Sequence, residues 1–273
     1  DSVALRALVA DAEPDEVYNF AAVSSVGRSW QEPELTVAVN LTAVEVLVAA
    51  LLDLRARTGR EVRLFQASSA EVSGEATASP YARSKAAAED VVRDARGRGM
   101  HASIGRLHIH ESPLRAPTFV SRKITSGAAE IALGRRDRLV LGNLDVVRDW
   151  GFAGEYVEAA RLMVAADEPL DLPIGTGRPH RLVEFVERAF AAAGLADPVL
   201  LASSHDATVR NAFAFARFGL SKPVPSSIAA HNRVSGWMLH STSMPRYSAA
   251  SPAPITPRAD ARAVGGRTPT SAI

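Results

Sequence analysis

A chain of 273 residues, 47% of them hydrophobic, can bury one substantial core or one and a half. With no cysteine it excludes thiol chemistry, disulfides and cysteine metal sites, and it fits a reducing, cytoplasmic setting. The net charge of +1 hides a split: residues 1–187 carry 27 acidic and 22 basic side chains, residues 188–273 three and nine, which marks a compositional boundary and not a nucleic-acid-binding surface. No apolar run is expected to reach membrane-spanning length, and no leader pattern opens the chain, so no membrane contact is expected.

Taken in order, residues 3–12 read as a helix, and Glu16 to Ala22 as a buried strand after the Pro14-Asp15 turn. The small residues that follow leave two readings open, a dinucleotide lying against the backbone or an ordinary strand-to-helix turn. Apolar positions Val37, Leu41, Val44, Val48, Leu51 and Leu52 predict a long amphipathic helix over 36–57, ended by Gly59. A strand over 61–67, a helix from Tyr81 to about Ala95 and a strand from His101 to Leu107 complete an α/β alternation. It predicts a doubly wound parallel sheet. No Gly-x-Gly-x-x-Gly turn precedes Glu16; the family resemblance given below implies an incomplete sheet, its first strands lying before Asp1 and strand 16–22 left as an unpaired edge. The expected organisation is a partial dinucleotide-binding domain over 1–150 and a partial substrate domain over 151–194, with helices 152–166 and 180–194 flanking a strand near 170–175. Residues 195–273 are expected to form a divergent, poorly ordered tail.

The chemistry concentrates in Leu64–Glu71 and Ser79–Lys85. Tyr81 and Lys85, four apart, fall on one helical face, where an ammonium would lower the phenol's pKa toward that of a useful base. Ser69 and Glu71, two apart, would point the same way on extended backbone at a strand end, where open α/β sheets place ligands. The bland alternative is an exposed helical pair without chemistry. His108, His110 and Glu111 are read as hydrogen-bonding residues and not as a metal site, because no third spaced ligand follows. Arg122, Lys123 and Arg148 could pair with a pyrophosphate or form a solvated basic face. Trp150 is read as packing.

These segments, with Pro14–Ala22, His110–Pro113, Thr118–Thr125, Leu141–Asp145 and Arg148–Gly151, resemble GDP-mannose 4,6-dehydratase, an extended short-chain dehydrogenase/reductase, over roughly residues 1–194. The resemblance implies conversion of GDP-mannose to its 4-keto-6-deoxy product with NADP as a transient hydride store. Tyr81 would then act as base on the 4-hydroxyl, Lys85 would hold ribose and assist Tyr81, Glu71 would remove the C5 proton and Ser69 would bond the 4-oxygen. It also implies cofactor contacts from Asp1, Phe20, Ala21, Ala22, Ser24, Tyr81, Lys85, His110 and Arg115. Substrate contacts would come from Arg122, Lys123 and Arg148, and the intact family implies a homo-oligomer. The chain departs from the family where Val23 and Ser25 replace Gln and His, where Ile109 replaces a nucleotide-sugar-holding Asn, and between Glu71 and Tyr81, where the family loop is about a dozen residues longer. Activity of the chain as it stands is expected to be impaired. Two alternatives stay open: an inactive or binding-only remnant, and another NAD(P)-dependent nucleotide-sugar epimerase or reductase.

Overall fold

The computed structural model describes residues 1–73 and 78–195, together with the backbone of two short strands, Val199–Ala202 and Phe213–Ala216. Helix α1 (Ser2–Ala12) starts on Asp1, whose carboxylate accepts from the N–H groups of Val3 and Ala4 at 2.9 and 3.3 Å, two donors that a helix start otherwise leaves free. Strand β1 (Glu16–Asn19) follows, then α2 (Val26–Gln31). A 26-residue helical run comes next: α3 (Pro33–Val37), a π-helical turn (Ala38–Thr42) and α4 (Ala43–Thr58), stopped by Gly59 in the left-handed conformation at φ 70°. This run is long and apolar enough to cross a membrane by length and composition, contrary to the expectation that none would be. Val44, Leu47, Val48, Leu51 and Leu54 are nevertheless buried in a core shared with α1, so its apolar character is explained by packing.

Strands β2 (Arg63–Ser69) and β3 (His101–Leu107), with helix α5 (Pro80–Gly97) between them, complete the predicted alternation. With β7 (Asp171–Ile174) they form a four-stranded, wholly parallel sheet in the order β1-β2-β3-β7. Alternation along the strands sends Val62, Leu64, Ala102 and Ile104 into the core under α1, α4 and α5. Phe65, Ala67 and Leu107 pack on the opposite face against Tyr156, Ala160, Met163 and Val164 of α7 (Ala153–Ala165). Both faces are covered, which is why β2 is buried from Leu64 to Ser69. The doubly wound parallel sheet inferred from the sequence is present.

Two details differ. The strand expected over Glu16–Ala22 stops at Asn19 and is exposed or half-buried along its length, because among the described residues it pairs with β2 alone. Residues 171–174 were grouped by sequence with the substrate half. They extend the first sheet instead, because Ile174 and Leu170 pack on the Phe65 cluster and β7 pairs with β3 from Ile104 to Leu107.

The second half carries β4 (Ile109–Glu111), α6 (Val120–Ala132), β5 (Arg138–Leu141), β6 (Val147–Phe152), β8 (Pro179–Arg181) and α8 (Leu182–Ala192). Strand β6 pairs parallel with β4 and antiparallel with β8. Ile124, Ile131, Leu139, Trp150, Phe185 and Phe190 anchor a separate core. Strands β9 (Val199–Ala202) and β10 (Phe213–Ala216) pair antiparallel with each other, and β10 with β5. Part of the stretch expected to be poorly ordered is thus strand, including Phe213 and Phe215, because β5 offers an edge to pair with. Phe218 and the remainder of the expected tail lie outside the described residues.

Gly105 in the centre of β3 is required by packing. A Cβ there would stand 2.5 Å from Phe65 Cζ and 2.9 Å from Ile174 Cδ1. Gly105→Ala is expected to lower the free energy of urea unfolding by about 1–3 kcal/mol through overpacking.

Candidate active site

The site is built at the exit of β2. Ser69 ends the strand, and its hydroxyl accepts the Glu71 N–H at 3.2 Å, turning the chain into a 3-10 turn over Ala70–Val72. Ser69 and Glu71 therefore do not share an extended run as their spacing suggested, because the hydroxyl competes with the sheet ladder for the backbone. Ser79 restarts helical structure by accepting the Ala82 N–H at 3.0 Å, with Pro80 in the first turn. This places Tyr81 at the helix start, buried with 8% exposed. The Ser69 hydroxyl and Arg115 favour ionisation of the phenol, and Glu71 opposes it. Ser69 and Glu71 thus lie at the exit of β2 and Tyr81 at the start of α5.

Lys85 behaves differently from the expectation. Its Nζ donates to the Ala67 carbonyl at 2.8 Å, and the side chain is buried, which draws its pKa down to about 8. Burial pushes the Tyr81 phenol above its ordinary value, outweighing the opposite pull of Ser69; Glu71 pushes the same way as burial and Arg115 opposes. The predicted lowering of the phenol by Lys85 is corrected: the ammonium is turned onto β2, and desolvation dominates. Because the folded pKa of Lys85 lies below the ordinary 10.5, the native state binds fewer protons between about pH 8 and 10.5 and gains stability from this group as pH rises through that window. Lys85→Met is expected to stabilise the fold at pH 7 by up to about 3 kcal/mol, a gain that shrinks above pH 8 in urea titrations. Ala67 would keep a donor, since Gln66 Nε2 also reaches its carbonyl at 3.1 Å.

The other expected contacts are distributed unevenly. Beyond β1, Phe20 stacks at 5.4 Å on Phe65, while Ala21 and Ser24 are exposed and Ala22 is half-buried, so this exit presents small groups and backbone. His110 stands with Nδ1 3.0 Å from the His108 carbonyl oxygen, and burial holds its pKa below the ordinary range. Asp1 is engaged in capping α1. Arg122 and Lys123 occupy the first turn of α6, half-buried and exposed. Arg148 is exposed on β6 and donates to the Val147 carbonyl. The described contacts do not join these last four residues to Tyr81.

Sequence reasoning missed Asn40. It is 1% exposed in the π-helical turn, accepts the Val23 N–H at 2.8 Å and donates to the Val23 carbonyl and to Ser84 Oγ, both at 3.2 Å. It pins the exit of β1 to the helix that carries Tyr81. A lone asparagine inside an apolar helix was the available signal, and π turns recur at functional sites.

Tyr81, the two remaining N–H donors of Lys85, His110 and the buried Arg115 Nε, which has no hydrogen-bond partner, fit the nicotinamide-ribose end of a dinucleotide. The described residues contain no glycine-rich turn between a strand and a helix that would cradle its pyrophosphate.

A parallel sheet covered on both faces, with Tyr81 and Lys85 on the helix after β2 and Ser69 at that strand's end, defines a protein of the short-chain dehydrogenase/reductase type. Comparison with known proteins narrows the class. The sequence model described as GDP-mannose 4,6 dehydratase matches residues 1–213, past the limit near 194 read from the sequence. A GDP-mannose 4,6-dehydratase of Sinorhizobium fredii is 42% identical over 212 residues (71% of this chain, 59% of that protein), and GDP-mannose 4,6 dehydratase 1 of Arabidopsis thaliana is 39% identical over 207 (71% and 57%). The structure of RMD from Pseudomonas aeruginosa complexed with NADPH superposes with a TM-score of 0.59 at 23% identity, covering 67% of this chain and 68% of the other. The chain belongs to the GDP-mannose 4,6-dehydratase family. It spans somewhat under three-fifths of the length of these curated relatives.

Proposed function

We propose that the chain carries the acid-base machinery of an NADP-dependent GDP-mannose 4,6-dehydratase, a lyase that forms the 4-keto-6-deoxy sugar. The observation that carries this reading is that Ser69 ends β2, Glu71 lies in the turn that follows, and both influence the phenol of Tyr81 at the start of α5. Plain dehydrogenation needs one base, whereas elimination of water across C5 and C6 needs a second, and the carboxylate supplies it. Tyr81 takes the proton of the sugar 4-hydroxyl while Ser69 holds that oxygen. Once C4 is a ketone the C5 proton is acidic, and Glu71 removes it as hydroxide leaves C6 with a proton. A bound nicotinamide dinucleotide would supply reversible hydride acceptance, and Tyr81, Lys85, His110 and Arg115 would hold its ribose end. The likeness to the NADPH-bound Pseudomonas aeruginosa protein supports a nicotinamide cofactor at the level of the fold. Arg122, Lys123 and Arg148 would meet the diphosphate of GDP-mannose.

The test is incubation with GDP-mannose and NADP, followed by the absorbance of the 4-keto product in alkali. It is run on the chain as it stands and on the chain joined to the part of the Sinorhizobium fredii relative that precedes the matched segment. Product from the joined protein, lost on Tyr81→Phe, is expected. A folded joined protein that binds NADP and forms no product would favour a binding-only remnant, and a 4-epimer in place of the keto product would favour an epimerase.

A further inference from the structure

Tyr156 is a buried tyrosine that the reaction above does not use. It lies in the first turn of α7, 3% exposed, and belongs to the core beneath the first sheet with Phe65, Ala67 and Leu107. Its ring also reaches β4, where it stands 5.0 Å from the His110 ring at an interplanar angle of 34°, and its hydroxyl donates to the Ile109 carbonyl at 3.4 Å. This approach depends on residue 151 being glycine. Gly151 pairs with His110 in the β4–β6 ladder, and a Cβ on it would stand 2.4 Å from Tyr156 Cε2 and 3.0 Å from the Tyr156 hydroxyl oxygen. We propose that Tyr156 is the positioning residue of His110: packed through the gap at Gly151, its ring holds the imidazole in the orientation and tautomer that present Nε2 as an acceptor to the hydroxyl and amide donors at the nicotinamide-ribose end of the dinucleotide.

The His108 carbonyl, 3.0 Å from His110 Nδ1, can only accept, so Nδ1 carries the ring proton and Nε2 keeps a lone pair. Burial and the Arg115 charge disfavour protonation of the imidazole, which preserves that lone pair. An acceptor of this kind suits a ribose hydroxyl or a carboxamide N–H and repels phosphate oxygens. One hydrogen bond leaves an imidazole free to swing about it, and an aromatic face anchored in the core removes that freedom. Tyr156 itself stays a neutral phenol, because burial, Asp149 and Glu155 all raise its pKa, so it serves as a packing face and not as a second base. The proposal deepens the reading of His110 as a cofactor contact and rests on it for its functional meaning.

The first measurement needs neither cofactor nor turnover, so its failure is distinct from failure of the dehydratase assay. Imidazole nitrogen NMR shifts of the full chain report the tautomer directly, with His110 picked out of the seven histidines by the signals lost in His110→Gln. Wild type and Tyr156→Phe, which keeps the ring, are expected to show the Nδ1–H form alone. Tyr156→Leu, which fills the core without an aromatic face, and Gly151→Ala, which pushes the ring aside, are each expected to show both tautomers in exchange. The second measurement is NADPH binding, read by nucleotide fluorescence in the joined protein. Tyr156→Leu is expected to weaken binding roughly tenfold, the worth of one hydrogen bond, and Tyr156→Phe less than about twofold. With His110 already replaced by alanine, Tyr156→Leu should weaken binding no further, since Tyr156 acts through His110. Should circular dichroism show Tyr156→Leu unfolded, Tyr156→Met carries the same expectations. A lone Nδ1–H tautomer kept by the folded variant, or an undiminished loss of binding in the His110→Ala background, would overturn the proposal.

Discussion

Glu89→Ala is expected to destabilise the fold by about 3–5 kcal/mol in urea unfolding at pH 7, the scale on which removing one partner of a buried ion pair acts. Glu89 lies on α5 with its side chain 4% exposed. Its carboxylate accepts from Ser68 Oγ at 2.6 Å, from Arg106 Nε and Nη2 at 2.9 and 2.6 Å, and from Arg93 Nη2 at 2.5 Å. Asp171 extends the network, facing Arg93 at 3.3 Å and Arg96 at 2.5 Å, so one carboxylate on α5 ties together β2, β3 and β7. Alanine would leave the Arg106 guanidinium and the Ser68 hydroxyl without this acceptor, while Arg93 would keep Asp90 and Asp171. Burial disfavours the ionised carboxylate, yet the hydrogen bonds from Arg106, Ser68 and Arg93 hold its pKa below the ordinary value. Since the folded pKa is the lower one, this group contributes fully above the unfolded pKa, and the contribution is lost as pH falls through the folded value. Glu89→Gln should therefore flatten the acid side of the stability profile. An unfolding free energy within 1 kcal/mol of wild type would show that the network contributes little.

Tyr81→Phe and Glu71→Gln are each expected to cost about 10²–10⁴ in turnover in the joined protein, the range of a positioned acid-base group. The two losses should differ in kind. Tyr81→Phe stops the first proton transfer, so neither ketone nor solvent exchange at C5 follows. Glu71→Gln leaves that transfer possible and removes the base for C5, so deuterium from solvent should no longer enter that position. The double variant should cost little more than the worse single one, because the groups act in sequence on one substrate. Because burial and Glu71 hold the phenol above its ordinary value, turnover should climb with pH through the neutral range. Wash-in of deuterium at C5 undiminished in Glu71→Gln would assign the second base elsewhere.

The chain's local chemistry determined a large part of this protein by itself. Apolar runs and their punctuation placed β2, α5 and β3, Gly59 stopped α4, and Ser79-Pro80 set the helix start that puts Tyr81 and Lys85 one turn apart. Those features depend on side-chain periodicity and on backbone conformations set within a few residues. Only the tertiary structure decided where the charges point. Lys85 turns to Ala67 because a buried ammonium needs an acceptor and β2 offers one. Glu89 gathers Ser68, Arg93 and Arg106 from three elements, and Asn40 joins Val23 to Ser84. β7 entered the first sheet because its apolar side chains found the Phe65 cluster. Desolvation and partner choice depend on which distant segments fold against a group, and neighbouring residues along the chain do not encode that.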